Sequence, residues 1–301
     1  MTPDGWFGQL SELCRLLFLP EERHRLLLMF AVYMDASGKT EDITKPGDPV
    51  LSLAGYVAPV ERWEECGVAW RKMLCDYCLS RAHQTDFAQN WGEYIGWNKD
   101  EAKRRGYVTR CTEMINDTVQ AGFVTAVLLK DWQRVANRGV DSETDAVLDN
   151  DAAYEPVSAF KFVAVETIKQ IAIWAHENKL TERIAYLFEP GDGRNAEIVQ
   201  MREALQSSAE LVNGYKFNSL TIIEPRDPLH VQVQTADWLA YETGKYLRDT
   251  KLNTVDPRKM RETFRLIWKP GKLRTRFYNE KDLLGLCKSN LAEMRRLGIR
   301  A

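Results

Sequence analysis

Five short apolar runs, each separated from the next by polar or helix-patterned segments, constrain the fold of this 301-residue chain more than any other feature. Each run is short enough for a strand and is bounded by glycine, proline or polar residues. The runs lie at 26–35, 49–59, 122–130, 183–193 and 219–225. The first two follow one another directly and predict a hairpin. The alternation predicts an α/β fold with a mixed central sheet flanked by helices.

Hydropathy and charge divide the chain into three segments. Leucines at helical spacing before Pro20 predict an N-terminal helical extension over 1–27. The alternating strands and helices occupy 28–250, which we expect to form one core. Residues 251–301 are predicted to be a basic, helical C-terminal extension packed on that core, because 257–301 hold thirteen lysines and arginines against four acidic residues.

The charge of the chain is balanced overall but polarised along its length. With 41 basic and 43 acidic residues, the net charge of −2 excludes a protein that binds nucleic acid through overall basicity. Residues 257–301 nevertheless carry +9, which leaves −11 for the rest. Several of their basic side chains are interleaved with aromatic ones. These basic residues are Arg258, Lys259, Arg261, Arg265, Lys269, Lys272, Arg274 and Arg276. Two interpretations stay open: a surface that tracks nucleic-acid phosphates, and an ordinary closing segment.

Hydropathy and cysteine content bear on location and redox state. No apolar run reaches the roughly 18 residues of a membrane span, and the first residues lack the basic-then-apolar order of a secretory signal. Six cysteines are too few for a disulfide framework. Cys75 and Cys78 fall inside a predicted helix at 60–79 with no second pair at zinc-site spacing, which favours two helix cysteines over a zinc or redox motif. We expect a cytoplasmic protein with no membrane partner; a homo-oligomer and a partner protein both stay open.

Four acidic residues lie where buried structure is expected to meet an opening. Asp35 ends the first apolar run and Glu189 ends the core of the fourth, while Asp86 lies in a loop and Asp237 lies early in a predicted helix. Ligand sites in open α/β sheets form at the carboxyl ends of strands, so these four residues are predicted to converge. Each position also has an ordinary explanation, such as the turn that Asp-Ala-Ser-Gly favours.

Converging carboxylates repel one another unless a cation compensates their charge. Mg²⁺ or Mn²⁺ suits a cluster of carboxylate and water oxygens. Two such ions would position a water molecule and stabilise the leaving oxygen of a phosphodiester. The sequence therefore predicts a metal centre with the ligands Asp35, Asp86, Glu189 and Asp237.

Three polar residues are candidates for supporting roles. His83 is expected either to assist proton transfer or bind a phosphate, or simply to anchor the backbone of its loop. Gln234 precedes Asp237 by one helical turn and either orients that carboxylate or is an ordinary helix-start residue. Ser37 is expected to donate a hydrogen bond beside the metal.

Three motifs carry a resemblance to a known family. They are Y-M-D-A-S-G at 33–38, H-Q-T-D-F at 83–87 and Q-T-A-D-W-L-A-Y at 234–241. Their order and spacing resemble those of the family catalogued as domain of unknown function thirty-eight hundred, whose motifs are D-E-S-G, H-x-T-D and Q-x-A-D. The resemblance spans residues 29–248. It implies a ribonuclease H-like fold and a metal-dependent, nuclease-like site built from Asp35, Asp86, the acidic end of the strand at 183–189, and Asp237.

Two positions depart from the family pattern. Ala36 stands where the family usually has Glu, which removes one outer carboxylate. Glu189 stands where an Asp at the strand end is expected, and Asp192 follows three residues later in a turn. The third ligand is therefore open between these two residues, and the longer side chain of Glu189 at the strand end favours Glu189.

Motifs for several other chemistries are missing from the sequence. It has neither a G-x-x-x-x-G-K phosphate loop nor a G-x-S-x-G nucleophile elbow. The sequence thus predicts a divalent-metal-dependent nuclease that acts on RNA or DNA. The alternatives are a catalytically inactive module that binds nucleic acid or protein in a defence or mobile-element system, and a hydrolase of small phosphate compounds.

Overall fold

The structure is a computed structural model that describes residues 29–38, 49–136, 138–140, 147–149, 158–189, 194–223, 230–250, 260–268 and 271–296. The helical extension predicted over 1–27 lies outside the described residues, and so does Asp192. Among the helices in the described part of the chain, none is both long enough and apolar enough to cross a bilayer.

Strands and helices alternate along the described chain as the apolar runs predict. The strands are β1 (Phe30–Ser37), β2 (Val50–Pro59), β3 (Ala121–Leu128), β4 (Arg138–Val140), β5 (Val147–Asp149), β6 (Ile184–Glu189), β7 (Phe217–Ile222) and β8 (Leu273–Tyr278). The helices are α1 (Val60–Asp76), α2 (Gln84–Gln89), α3 (Glu101–Thr118), α4 (Leu129–Ala136), α5 (Ala159–Glu177), α6 (Asn195–Gln206), α7 (Ala209–Gly214), α8 (Val233–Thr250), α9 (Glu262–Ile267) and α10 (Glu280–Arg296).

Six strands form one mixed sheet in the order β7-β6-β1-β2-β3-β8. β2 is antiparallel to both of its neighbours, whereas β6 pairs parallel with β1 and with β7, and β8 pairs parallel with β3. Five of these strands therefore end at the same edge of the sheet. The predicted α/β architecture with a mixed, helix-flanked sheet is confirmed.

The side chains of the sheet feed two separate hydrophobic cores because successive residues of a strand point to opposite faces. In β1, Ala31 and Tyr33 join the core that contains Trp238 of α8. Val32 and Met34 join the other core, in which α5 packs on the sheet. By the same alternation, Asp35 faces α8.

The C-terminal residues differ from the prediction of a helical extension. They include β8, which hydrogen-bonds to β3 and forms the last strand of the sheet. The aromatic side chains of Phe264 in α9 and Tyr278 in β8 are buried in the two cores. The predicted boundary at residue 250 therefore cuts through the sheet, because a strand beyond that residue completes it.

Candidate functional site

Two of the predicted acidic residues end adjacent parallel strands. Asp35 of β1 pairs in register with Glu189 of β6. Adjacent strands lie about 4.8 Å apart, and residues paired in register point to the same face. The two carboxylates therefore lie side by side on the α8 face, at the edge where the carboxyl ends of the parallel strands meet.

Helix α8 brings the third carboxylate to this edge. The helix packs on β1 and β2 through buried residues that include Trp238 and Leu239. Its fifth residue, Asp237, is hydrogen-bonded through its side chain to Asp35. The structure thus brings together three of the four predicted metal ligands, from two strands and one helix.

Asp35 and Asp237 form a hydrogen-bonded pair of carboxyl groups whose pKa values are both raised. Burial, then the negative charges of Asp237 and Glu189, raise the pKa of Asp35 well above its ordinary value. The bond to Asp237 raises it further, whereas the same bond lowers the pKa of Asp237. Asp35 is therefore the donor and Asp237 the acceptor. Both residues keep part of their surface open to solvent, so the pair remains accessible.

Basic side chains border the same cluster. Burial raises the pKa of Glu189, and the charge of Asp237 adds to that rise, while Arg81 and His83 oppose it. Burial also raises the pKa of Asp237. His83, Arg81 and the hydrogen bond from the backbone N–H of Gln84 lower that pKa in part. The site therefore combines three crowded carboxyl groups with the guanidinium group of Arg81 and the imidazole of His83, both from the loop before α2.

Asp86, the fourth predicted ligand, contacts two side chains of its own loop. Its Oδ2 lies 2.9 Å from His83 Nδ1 and 3.5 Å from Arg81 Nη2. The cause is local, because residues 83–86 form the first turn of α2 and place Asp86 on the same helix face as His83. Asp86 therefore holds the side chains of Arg81 and His83 in position, and these two side chains, in turn, lower the pKa of Asp237 and Glu189.

The loop before α2 is fixed to α8 by hydrogen bonds. The backbone N–H of Gln84 donates to Asp237 Oδ2 at 2.6 Å. Gln234 Oε1 accepts from the backbone N–H of Ala82 at 2.8 Å and from Trp70 Nε1 at 3.0 Å. Gln234 was predicted to orient Asp237 or to be an ordinary helix-start residue; the structure instead shows that it holds the loop that orients Asp237.

A buried polar network lies behind this loop. Gln84 Nε2 donates to Glu242 Oε1 at 3.0 Å, and Thr263 Oγ1 donates to the same oxygen at 2.8 Å. Arg261 Nη1 lies 3.5 Å from that oxygen, and the Glu242 side chain has 0% exposure. The network connects the segment at 260–268 to the loop before α2.

The turn after Asp35 is held by close backbone packing. Gly38 has a φ of +94°, and a Cβ there would lie 2.1 Å from the carbonyl oxygen of Val50. Arg194 is almost fully buried and donates from Nη2 to the Gly38 carbonyl at 2.8 Å. Ser37 packs against Gly244 of α8, where a Cβ would lie 2.9 Å from Ser37 Oγ. Its predicted role beside a metal stays a prediction.

Sequence reasoning missed Arg81, Gln84 and Arg194. Arg81 was detectable, since an arginine two residues before the histidine of an H-x-T-D motif places a second basic side chain in the same loop. Gln84 acts through its backbone N–H, and Arg194 acts on a backbone carbonyl. No side-chain pattern in the sequence signals such backbone contacts.

The basic side chains of β8 do not point toward the carboxylates. Leu273 and Phe277 pack on the α8-side core, so the alternate residues Arg274 and Arg276 face α5. Arg274 pairs with Glu177 of α5, and Arg276 Nη1 lies 3.5 Å from Glu166 Oε2. These two arginines attach the strand to α5, which matches the interpretation of an ordinary closing segment. Arg258, Lys259 and Lys269 lie outside the described residues.

The three carboxyl groups have the chemistry that a divalent cation requires, but two of them are hydrogen-bonded to each other. Three carboxyl groups offer hard oxygens and a negative charge for a cation to offset. Within the ranges that the structure describes, however, no three or more His, Cys, Asp or Glu side chains stand as a group able to hold an ion. Asp35 and Asp237 are instead hydrogen-bonded to each other.

No protein-family model matches the chain, and neither a curated protein nor a solved structure is significantly similar to it. The geometry of the site therefore carries the functional argument.

Proposed function

We propose that the chain is a divalent-metal-dependent nuclease that hydrolyses phosphodiester bonds in RNA or DNA on a ribonuclease H-like core. The observation that carries the proposal is the convergence of Asp35, Glu189 and Asp237 at one edge of the sheet. Burial raises the pKa of all three acidic residues, and the charge of Asp237 raises the pKa of Asp35 and of Glu189 further, which is a cost that a bound cation removes. The antiparallel hairpin β1-β2, with parallel strands beside it, supports the core assignment.

The three carboxylates would hold Mg²⁺ or Mn²⁺, which would activate a water molecule and stabilise the leaving oxygen. Asp35 would give up its proton as the cation binds. Arg81 and His83, which border the cluster, are positioned to bind a nonbridging phosphate oxygen, and Asp86 keeps both of them oriented. Glu189 is the third ligand in this assignment, because it is the residue in register with Asp35.

A second candidate function is a catalytically inactive module that binds nucleic acid or protein. The observation in its favour is the hydrogen bond between Asp35 and Asp237, which engages both carboxyl groups with each other and not with a cation. Such a module would keep the proton on Asp35 at neutral pH and would not exchange it for a cation.

Cleavage assays test the proposal directly. Purified full chain is incubated with single-stranded RNA, single-stranded DNA and an RNA–DNA hybrid in Mg²⁺ or Mn²⁺. Asp35→Asn and Asp237→Asn are each expected to lower the cleavage rate by more than about 100-fold. Asp249→Asn, on an exposed position of the same helix α8, is the matched control and should retain the wild-type rate.

A parallel titration with Mn²⁺ separates the two candidates. The nuclease should gain thermal stability with Mn²⁺, and Asp237→Asn should abolish that gain. Equal cleavage by wild type and Asp35→Asn, together with no Mn²⁺-dependent stabilisation, would refute the proposal and leave the binding module. Phosphate release from nucleotides without cleavage of a polymer would instead identify a hydrolase of small phosphate compounds.

A further inference from the structure

The two cysteines Cys75 and Cys78 are placed differently from the sequence expectation. Helix α1 ends at Asp76, so Cys75 lies in its last turn and Cys78 lies beyond its end. The sequence favours two ordinary helix cysteines for two reasons, the lack of a second pair at zinc-site spacing and their place inside one continuous helix, and the structure removes the second reason.

The helix ends in a Schellman motif that fixes both cysteines. The backbone N–H of Cys78 donates to the Cys75 carbonyl at 3.0 Å, and that of Leu79 donates to the Leu74 carbonyl at 2.8 Å. These are the two bonds that define the motif, and Leu74 and Leu79 are both buried in one core, as its hydrophobic contact requires. Cys78 takes the left-handed position with a φ of +56°. Glycine is the usual residue there.

The turn keeps the Cα atoms of the two cysteines at a separation that a disulfide can span. A turn closed by a hydrogen bond between residues i and i+3 keeps their Cα atoms within about 7 Å, and disulfides span Cα separations of about 4.4–6.8 Å. Both cysteines are exposed, whereas Cys66 and Cys111 are buried. A small disulfide in solution can therefore reach this pair and is kept from the buried ones.

We propose that Cys75 and Cys78 form a redox-active dithiol that is oxidised to an intramolecular disulfide by a low-molecular-weight disulfide such as oxidised glutathione. One thiolate attacks a sulfur of glutathione disulfide, which forms a mixed disulfide and releases one reduced glutathione. The second thiolate then attacks the protein sulfur of the mixed disulfide and releases the other glutathione. Two protein thiols lose two protons and two electrons, and one glutathione disulfide takes them up as two thiols. This inference is independent of the proposed nuclease activity.

The pair also lies directly before the functional site. Arg81 follows Cys78 by three residues, and Ser80 between them donates from its backbone N–H to Glu93 Oε1 at 2.9 Å. Oxidation would therefore add a covalent link at the start of the segment that carries Arg81 and His83.

Thiol counting after equilibration tests the inference. Reduced full chain with Cys14→Ser and Cys287→Ser is equilibrated with mixtures of reduced and oxidised glutathione, then alkylated and measured by intact mass and peptide mapping. The expected result is a mass about 2 Da below that of the reduced chain before alkylation, two fewer alkyl groups after it, and a disulfide mapped to Cys75 and Cys78. Dithiothreitol should restore both thiols.

Single variants supply the controls. Cys75→Ser and Cys78→Ser should each stop at the mixed disulfide and gain the mass of one glutathione. If Cys78→Ser fails to fold, Cys78→Gly suits the left-handed position and serves the same purpose. The inference is overturned if the parent chain accumulates mixed disulfides only, if it keeps all its thiols, or if the mapped disulfide joins Cys66 and Cys111.

Discussion

At the scale of single residues, the crowding of Asp35, Glu189 and Asp237 controls the protonation of the site. Three carboxyl groups crowd one edge of the sheet, and burial is the largest cause of the raised pKa of each. A carboxyl group whose pKa is higher in the folded chain binds more protons when folded than when unfolded. The free energy of unfolding then falls as pH rises from the unfolded pKa, about 3.9 for Asp, to the folded pKa.

Asp35→Asn is therefore expected to stabilise the chain in a metal chelator at neutral pH. The amide of Asn keeps a donor for Asp237 and carries no charge, so the cost of ionising Asp35 disappears. We expect a gain of about 1–2 kcal/mol at pH 8, seen as a rise in Tm of roughly 2–4 °C. The gain should shrink as pH falls and should vanish well below about 4, where Asp35 is protonated in both states. Thermal unfolding followed by circular dichroism measures it, and Asp249→Asn should leave Tm unchanged. A lower Tm for Asp35→Asn at pH 8 would contradict the raised pKa of Asp35.

Gly38 is the residue on which the shape of the turn after Asp35 most depends. Gly38→Ala forces a Cβ to within 2.1 Å of the Val50 carbonyl oxygen at a φ of +94°. We expect it to lower the free energy of unfolding by more than about 2 kcal/mol, as measured in urea. Gly214→Ala, where a Cβ meets nothing within 4 Å, is the control and should change it by less than about 0.5 kcal/mol. An equal change in the free energy of unfolding for both variants would mean that the turn at Gly38 shifts to accommodate the added Cβ.

At the scale of elements, helix α8 organises both the core and the site. It supplies Asp237 to the carboxylates, Gln234 to the loop before α2, and Glu242 to the buried network. These three residues lie along a helix whose apolar residues are packed on β1 and β2. A shift of α8 would therefore move Asp237, the loop before α2 and the C-terminal segment at 260–268 together.

Glu242→Ala tests the buried network. It leaves Gln84 and Thr263 without their acceptor and removes the partner of Arg261, so we expect a loss of about 3 kcal/mol in the free energy of unfolding. Thr263→Val removes one hydrogen bond and should cost about 1 kcal/mol. The exposed Glu262→Ala, one residue from Thr263, should cost less than about 0.5 kcal/mol. Chemical denaturation of the three variants provides the comparison, and a neutral Glu242→Ala would show that the network contributes no stability.

At the scale of the whole molecule, the cluster of three carboxylates and the arginines of β8 lie on opposite faces of the central sheet. The carboxylates lie on the α8 face, whereas Arg274 and Arg276 pair with acidic residues of α5 on the other face. The positive charge of the C-terminal segment is in part neutralised by these pairs. The basic side chains that border the site come from the loop before α2.

Nucleic-acid binding should reflect this separation if the proposed function is correct. Arg81→Gln is expected to weaken binding of a labelled oligonucleotide and to reduce the slope of log K against log salt by about 1. Arg274→Gln and Arg276→Gln should leave affinity and slope as in the wild type. Fluorescence anisotropy in a metal chelator measures both quantities without cleavage. If the β8 variants weaken oligonucleotide binding more than Arg81→Gln does, the surface that binds phosphates lies on the C-terminal segment.

Much of the fold was predictable because it depends on local patterns. Short apolar runs bounded by turn residues identified β1, β2, β3, β6 and β7, and the predicted helices at 60–79 and around Asp237 correspond to α1 and α8. β8 was missed because its alternating arginines are polar, as expected for residues that pair with α5 at the sheet edge. Its charge suggested a surface extension, and only pairing with β3 shows it to be a strand.

The sequence by itself determined the α/β architecture and the positions of Asp35, Glu189 and Asp237 at the ends of buried elements, since hydropathy periodicity reports which residues a strand or helix buries. Only the tertiary structure decided that these three carboxylates meet while Asp86 turns to Arg81 and His83. The physical reason is that strand register, helix packing and backbone hydrogen bonds, such as that from Gln84 to Asp237, join residues distant in sequence. Their energies depend on the assembled sheet, which no local pattern encodes.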